Sequence, residues 1–564
     1  MSSDGLLSST YESFCRKKGW DPRTLIVRGL KDLEAQLSEG SPALLMLDLP
    51  TSYGKTTITE ALVIKAIEGN PIFSRVIHVL PMRSIADQLG HKIKEGLKND
   101  FFNNKNIPLS KIEKTVGIQH LGLNDSPYFA KKVVITTLDT FVLNFYKAPV
   151  KEFSRVMEGI GTHFDFTRAQ IYSALVVFDE FHLFSKMGVG REGSRERSKS
   201  LTSVMCAVKG LCLAGVPVIV MTATMPKVMK DFLINELGEY GIKVLDKTYR
   251  KGDDPNYEKR RGGRRISFST LKINDLSGRC EDLISEGKKV LCVFNTVQDA
   301  VGAFRQLKHL NPFLIHGKLP EGVRKKRSEG ISCGRNMAEN TPKLAVSTQV
   351  IESGVDLSFD VLITAPCPAD RMMQRAGRVA RAEGSEFGEV LVMENGGQDV
   401  SFGPYDPDLC VRSADIVTER NGLTREIVDE VYKDELIEKD ESLWMALSML
   451  DNFVLLDSSH VEKALEHYRG FTDNFGIVTG FMESKVSSVE KRDYAVGLSE
   501  NEARCILRAR RKVVEGNRVI DLKDNEFWRL INAPSVSLEL QLSGYDGVAI
   551  EDFDPEIGYV RAEE

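Results

Sequence analysis

Short apolar runs of β type recur from Ser41 onward, separated by stretches in which apolar residues return at helical spacing. ALLMLDLP, VIHVLP, KKVVITTLD, ALVVFDE and VPVIVMTAT each close on small, polar or acidic residues. Their alternation with helices predicts a parallel sheet with helices on its faces. A charged, glycine-rich stretch, Lys247–Arg265, interrupts the pattern and predicts a linker. The alternation resumes in KKVLCVFNT, PFLIHG, KLAVSTQ, DVLITAP and GEVLVME. Past Gly403-Pro404 the texture turns helical, as in TREIVDEVYKDELIEKDESLWMALSML, and then strand-like in SVSLELQL. The fold class predicted is α/β, with two tandem parallel-sheet domains and an α+β C-terminal accessory domain. Residues 1–40 form a helical lead-in, 41–246 the first domain, 247–265 the linker, 266–404 the second domain and 405–564 the accessory domain. Met187–Ser200 reads as a mobile loop, and the acidic end from Gly544 as a small hairpin with a solvated tail.

Composition narrows the class without changing this picture. The 564 residues are 42% hydrophobic and 27% charged, as in soluble globular chains of three or four domains. The longest apolar run, Leu211–Met221, is far short of the roughly 20 residues that span a bilayer. No secretory signal is read at the start, so the expected location is cytoplasmic, with no membrane partner. The nine cysteines are scattered and never spaced CxxC, against a zinc or disulfide framework. A net charge of -5 means that any nucleic-acid site is a local groove.

Three segments carry chemistry. Pro50-Thr51-Ser52-Tyr53-Gly54-Lys55-Thr56-Thr57 follows a predicted strand and opens a predicted helix, the order that a phosphate cradle requires. Backbone N–H groups would hold phosphates, Lys55 would reach the β and γ phosphates and Thr56 would ligate Mg²⁺. Pro50 stands where the usual loop has its first glycine. Asp179-Glu180 ends a strand: Asp179 can hold Mg²⁺, and Glu180 can position and deprotonate a water. Gln374-Arg375-Ala376-Gly377-Arg378-Val379-Ala380-Arg381 places a fork of positive charge on one helical face, suited to a phosphate.

The order PTSYGKT, DEFH, TAT, VFNT, STQVIESGVD and QRAGRVAR resembles the superfamily 2 helicases with two RecA-like domains. More narrowly, STQVIESGVDLSFDVLITAPCPADRMMQRAGRVAR looks like the helicase of type I CRISPR interference systems. The resemblance implies that Lys55, Thr56, Asp179 and Glu180 bind and hydrolyse Mg-ATP, with Gly354 and Asp356 near the nucleotide. It implies arginine fingers at Arg378 and Arg381, and domain coupling through Gln374 and Arg375. Arg83, Thr136, Thr137, Asn295, Thr296, Ser347 and Thr348 would contact the strand backbone, and His182, Thr222 and Thr224 would couple hydrolysis to unwinding. No residue upstream of the phosphate loop is assigned to reading adenine. None of the nine histidines precedes an Asp, so the chain resembles the split form. Its implied partners are single-stranded DNA, a separate HD-type nuclease subunit and a crRNA-guided surveillance complex. A DExH-type RNA helicase and a non-unwinding, ATP-switched clamp that recruits a nuclease are the alternatives. A nucleoside kinase would explain the phosphate loop but not the second domain.

Overall fold

The computed structural model describes residues 6–69, 72–98, 109–120, 123–185, 187, 198–261, 264–332, 342–352, 357–381, 386–394, 400–452, 458–473, 478–533 and 535–560. Gly354, Asp356 and most of the Met187–Ser200 segment lie outside these residues. The chain divides into two units, one built from Met1–Met187, Arg195–Arg261 and Tyr432–Asp473, the other chiefly from Gly262–Val431 and Asn474–Glu564.

In the first unit each of the five predicted β runs is a strand, and three strands that the pattern did not predict, β3, β4 and β8, join them: β1 (Ala43–Asp48), β2 (Arg75–Leu80), β3 (Val116–His120), β4 (Leu123–Asn124), β5 (Val133–Thr137), β6 (Ala174–Phe178), β7 (Val218–Thr222) and β8 (Lys243–Thr248). They form one sheet in the order β4-β3-β5-β2-β6-β7-β1-β8, parallel except for β3 with β4. Burial on both faces explains why β1 is apolar up to Asp48 and buried throughout.

The lead-in is part of this core. Helices Leu6–Lys17 and Thr24–Ser38 bury Leu7, Tyr11, Ile26, Leu30 and Leu33 in the same cluster as Leu45 and Leu47. Gly29 permits the approach, since a Cβ there would lie 2.8 Å from Leu45 Cδ1. The expected linker is likewise structured. β8 runs into it, and Asp254-Pro255 starts a helix, Pro255–Arg261, with Asp254 Oδ1 accepting the Tyr257 N–H at 3.0 Å. Charge density masked an acidic cap followed by proline at the first helical position, a strong start signal.

The region after residue 404 is also divided differently from the expectation. Tyr432–Asp473 rejoins the first unit, because helix Glu441–Asn452 buries Leu443, Trp444 and Leu447 against helix Lys199–Leu213. Arg168 meets Asp451 at 2.6 Å, and Lys209 lies 4.7 Å from the Trp444 ring. Asp473 caps the N-terminus of Lys199–Leu213, accepting from the Ser198 hydroxyl at 2.8 Å and from the Ser200 N–H at 3.0 Å.

The second unit holds a fully parallel sheet of β9 (Arg265–Lys272), β10 (Val290–Val293), β11 (Phe313–Ile315), β12 (Leu344–Ser347), β13 (Val361–Thr364) and β14 (Phe387–Glu394), ordered β11-β12-β10-β13-β14-β9. Both parallel sheets are RecA-like. A mixed sheet completes the unit: β15 (Val478–Met482), β16 (Ala495–Leu498), β17 (Lys512–Glu515), β18 (Arg518–Asp521) and β19 (Gly547–Ile550), ordered β16-β15-β19-β17-β18. Two expectations fail here. SVSLELQL supplies a helix, Val536–Leu542, because the Glu500 carboxylate accepts the N–H groups of Val536 and Ser537 at 2.6 and 3.1 Å. The acidic end supplies β19, the buried middle strand, instead of a hairpin. Among the described residues no helix is long and apolar enough to cross a membrane, and each described cysteine is free.

The tail beyond β19 is pinned by His316, whose Nε2 donates to Ile557 O at 2.8 Å while its Nδ1 accepts the Lys318 N–H at 3.2 Å. Burial lowers the His316 pKa from 6.5 to about 4. Between those values the unfolded chain binds a proton that the folded chain does not, so stability falls as pH drops through this window. The contribution is at most about 3 kcal/mol. Urea unfolding at stepped pH is expected to show this loss, and His316→Gln is expected to flatten it; an unchanged slope would place the acid sensitivity elsewhere.

Candidate functional site

The carboxyl edge of the first sheet gathers the predicted phosphate loop and the paired carboxylates. At the end of β1 the Asp48 carboxylate is buried and held by Lys230 Nζ at 3.2 Å, and the Leu49 N–H extends the ladder to Thr222 O at 3.0 Å. The chain then turns through Pro50–Gly54, with Ser52 at φ 66° and Gly54 at φ 97°. Gly54 is the N-cap of helix Lys55–Glu68 and offers no side chain to its first-turn N–H groups. Lys55 Nζ folds back on Leu49 O at 2.8 Å and Pro50 O at 3.3 Å. A helix start without a side-chain cap, an ammonium lying over the loop and the Thr56 and Thr57 hydroxyls beside it fit a nucleotide's phosphates.

Tyr53 points the other way, into the core. Its hydroxyl donates to Asp254 Oδ2 at 2.7 Å, its ring lies 4.8 Å from that of Tyr257, and the Arg23 guanidinium lies 5.6 Å from it. Tyr257 OH donates in turn to Thr51 O at 3.3 Å. Burial and the Asp254 carboxylate push the Tyr53 phenol pKa up, so it remains a donor. The loop is thus clamped from beneath by side chains on either side of the sheet domain in sequence.

At the end of β6 the Asp179 N–H donates to Val79 O at 2.9 Å, and Asp179 Oδ1 accepts the Glu180 N–H at 2.8 Å. Glu180 is left-handed at φ 51°, a conformation that costs a non-glycine residue about 1 kcal/mol. Such strain held at an acidic pair marks a functional turn. The His182 ring meets Thr222 Oγ1 at 2.9 Å and Glu180 at 3.8 Å, and Thr224 N–H donates to Thr222 Oγ1 at 3.4 Å. The three predicted coupling residues therefore form one cluster with the second carboxylate. Mg²⁺ would take the Thr56 hydroxyl and the Asp179 carboxylate, a hard oxygen set of the kind that ion prefers. Elsewhere among the described residues, no three His, Cys, Asp or Glu side chains gather as metal ligands.

Of the predicted strand contacts, Arg83 opens helix Arg83–Leu97, and Thr136 and Thr137 end β5. Thr136 Oγ1 donates to Gln119 O at 2.7 Å and Thr137 Oγ1 to Thr140 Oγ1 at 3.3 Å, so both hydroxyls serve the fold. Beside them Asp139 is buried, which raises its pKa, and it accepts a hydrogen bond from Thr472.

In the second unit Asn295 and Thr296 follow β10, and Ser347 and Thr348 end β12, again at a carboxyl edge. Thr296 caps helix Val297–Gln306, and Ser347 Oγ donates to Ile315 O at 2.9 Å. Arg375 is fully buried: it donates to Glu352 Oε1 at 2.8 Å, to Thr364 Oγ1 at 2.9 Å and to Asn295 Oδ1 at 2.9 Å. Asn295 Nδ2 donates onward to Pro366 O at 2.8 Å. Arg378 Nη2 donates to Glu352 O at 2.5 Å, and the Arg381 N–H to Ser358 Oγ at 2.9 Å. Gln374 is buried beside them, while Arg381 stays half-exposed.

Residues 34–232 match the DEAD/DEAH box helicase family, and residues 286–384 match the CRISPR-associated nuclease/helicase Cas3, C-terminal family. The CRISPR-associated helicase Cas3 of Thermoproteus tenax is 22% identical over 460 residues, 77% of this chain and 72% of that protein. The chain is a Cas3-like helicase. It spans 22–51% of the length of four further curated relatives. In fold, the Cas3-like chain is similar to T. fusca Cas3 with AMPPNP, at a TM-score of 0.59 and 15% identity, over 95% of this chain and 68% of that one. It is also similar to a chain of a CRISPR RNA-guided surveillance complex in a pre-nicking state, at a TM-score of 0.50 and 18% identity, over 84% of this chain and 59% of that one.

Several residues that build the Cas3-like site were not found by sequence reasoning. Asp254 and Tyr257 fell in the expected linker, although the Asp-Pro pair was a usable cap signal. Glu352 is hidden within the STQVIESGVD motif as the partner of Arg375. Asp139 and Asp473 had no signal, since their partners are distant in sequence. Tyr53→Phe keeps the ring packing and removes the bond to Asp254, worth about 1 kcal/mol. Nucleotide affinity by calorimetry is expected to fall about fivefold; unaltered affinity would show that the clamp does not shape the loop.

Proposed function

We propose that this chain is an ATP-dependent single-stranded DNA translocase and helicase that unwinds target DNA in type I CRISPR interference and delivers it to a nuclease outside these residues. The observation that carries the reading is the meeting of Lys55, Thr56, Asp179 and Glu180 at one sheet edge, with the Glu180–His182–Thr222 cluster behind them. ATP is the substrate, and Mg²⁺ would supply charge neutralisation on its phosphates. Lys55 Nζ leaves the Leu49 and Pro50 carbonyls for the phosphates, and N–H groups at the start of helix Lys55–Glu68 bind the same oxygens. Glu180, held in its left-handed turn, orients a water and accepts its proton. His182 and Thr222 carry the state of Glu180 to the Thr222–Thr224 turn, and thereby to β7. Arg378 and Arg381 are proposed as arginine fingers, and Gly354 and Asp356 as nucleotide-binding residues, roles taken from their motifs alone.

On the nucleic-acid side, Arg83 and the turns at Thr136–Thr137, Asn295–Thr296 and Ser347–Thr348 hold the strand by its phosphates. With most of these hydroxyls used inside the fold, backbone N–H groups are the available donors, and such contacts are indifferent to sequence. The Cas3-like matches favour DNA and a crRNA-guided surveillance complex as partners. An HD-type nuclease subunit is the proposed partner that takes the unwound strand.

The test is ATP turnover with single-stranded DNA, single-stranded RNA and no polymer in parallel. Stimulation by DNA is expected; stimulation by RNA alone would make the chain an RNA helicase, and polymer binding without turnover would make it a clamp. Lys55→Ala is expected to lower turnover at least about 100-fold while strand binding persists. Near-normal turnover in that variant would overturn the assignment of the phosphate loop.

A further inference from the structure

Behind the paired carboxylates lies a buried histidine that the mechanism above does not use. His78 is on β2, paired with Val177 of β6, and has no solvent exposure. Its Nδ1 lies 2.9 Å from Thr59 Oγ1, and its Nε2 lies 3.4 Å from Asp179 Oδ2. Nε2 makes no hydrogen bond, so the Asp179 carboxylate is the acidic group that it faces. One tautomer suits both sides: the Thr59 hydroxyl donates to Nδ1, and the Nε2–H points its positive end at Asp179. Thr59 is itself buried on helix Lys55–Glu68, three residues beyond Thr56 and so one turn along the same face.

We infer that His78 is a positioning residue for the metal end of the ATP site, tying the helix that carries Thr56 to the strand end that carries Asp179. The inference rests on the ATPase reading above. The two oxygens expected to hold Mg²⁺ come from separate elements, a helix start and a strand end, and a hard octahedral cation tolerates little error in their separation. Asp179 Oδ1 is oriented by the Glu180 N–H at 2.8 Å. Oδ2 faces His78, so the plane of the carboxylate is set from both sides. Groups that hold a ligand in this way typically change metal affinity 10- to 100-fold when lost. A merely space-filling ring would need no polar partner on either nitrogen, whereas this one has Thr59 on one side and Asp179 on the other.

The test compares the full chain with His78→Phe, which keeps most of the volume but neither nitrogen, with His78→Gln, whose amide can donate from near the Nε2 position, and with Thr59→Val. Each is first checked for an unchanged melting transition. Mn²⁺ is the probe, read by electron paramagnetic resonance in the presence of ADP, and Mg²⁺ titrations of turnover run alongside. His78→Phe is expected to weaken nucleotide-dependent Mn²⁺ binding at least about tenfold, with metal-free ADP binding kept within about twofold. His78→Gln is expected to recover most of that loss, and Thr59→Val to lose about threefold. Unchanged Mn²⁺ binding in folded His78→Phe, or equal losses in the Phe and Gln variants, would overturn the role. If His78→Phe does not fold, the Gln and Val variants decide: both matching wild type would overturn it. A wild-type chain with no nucleotide-dependent Mn²⁺ signal would overturn the ATPase reading itself, a different outcome from a normal wild type with indifferent variants.

Discussion

The site depends on β1 being locked in parallel register between β7 and β8 until its last residue. Leu44 pairs with Val218 on one side and Val244 on the other, and Asp48 with Thr222 and Thr248. Where the ladder ends, the polypeptide must turn, and in a parallel sheet every such turn lies along the same edge. Phosphate loop, acidic pair and the Thr222–Thr224 turn are therefore neighbours by topology, however far apart they lie along the chain. The buried Asp48–Lys230 pair and the Tyr53–Asp254 bond fix the loop laterally, so the helix start is aimed before any ligand arrives.

The second unit solves a comparable problem with charge. Arg375 is buried among Glu352, Thr364 and Asn295, and each of its N–H directions used there ends on an oxygen. A lone guanidinium in that position would be several kcal/mol unfavourable, about 3–5 kcal/mol if one partner were removed. The network therefore joins three sequence motifs into a single rigid object: VFNT through Asn295, STQVIESGVD through Glu352 and QRAGRVAR through Arg375. Arg378 and Arg381 are carried on its rim.

The inner strands of both parallel sheets were legible because a strand covered on both faces is written as an unbroken apolar run, whereas the outlying β3, β4, β8 and β9 were not read, β8 and β9 being largely exposed. The chemistry was legible where a single segment contains all of its parts, as in PTSYGKT and DEFH. What escaped was whatever is completed by a distant residue. Asp473 caps a helix that begins at Lys199, and Glu500 turns an alternating apolar segment into the helix Val536–Leu542. Alternation in SVSLELQL is the right signal for a strand, and one carboxylate offering acceptors to its first N–H groups is enough to reverse it. The lead-in holds the helices Leu6–Lys17 and Thr24–Ser38, whose amphipathic faces do not say which sheet they cover.

The return of Tyr432–Asp473 to the first unit has a consequence for how the protein is made. The face of helix Lys199–Leu213 that meets Leu443, Trp444 and Leu447, together with its capped end at Ser198, has no cover until Asp473 has been synthesised. On a ribosome the phosphate loop and both carboxylates emerge long before that residue. The first sheet can form early, yet its unit is finished only after the whole second parallel sheet has left the exit tunnel. During that interval the nascent chain presents an apolar helix face to solvent or to a chaperone, and a product that stops short of Asp473 keeps it exposed for good. The order of translation thus makes a late helix pair the final check on whether an early catalytic edge becomes a stable one.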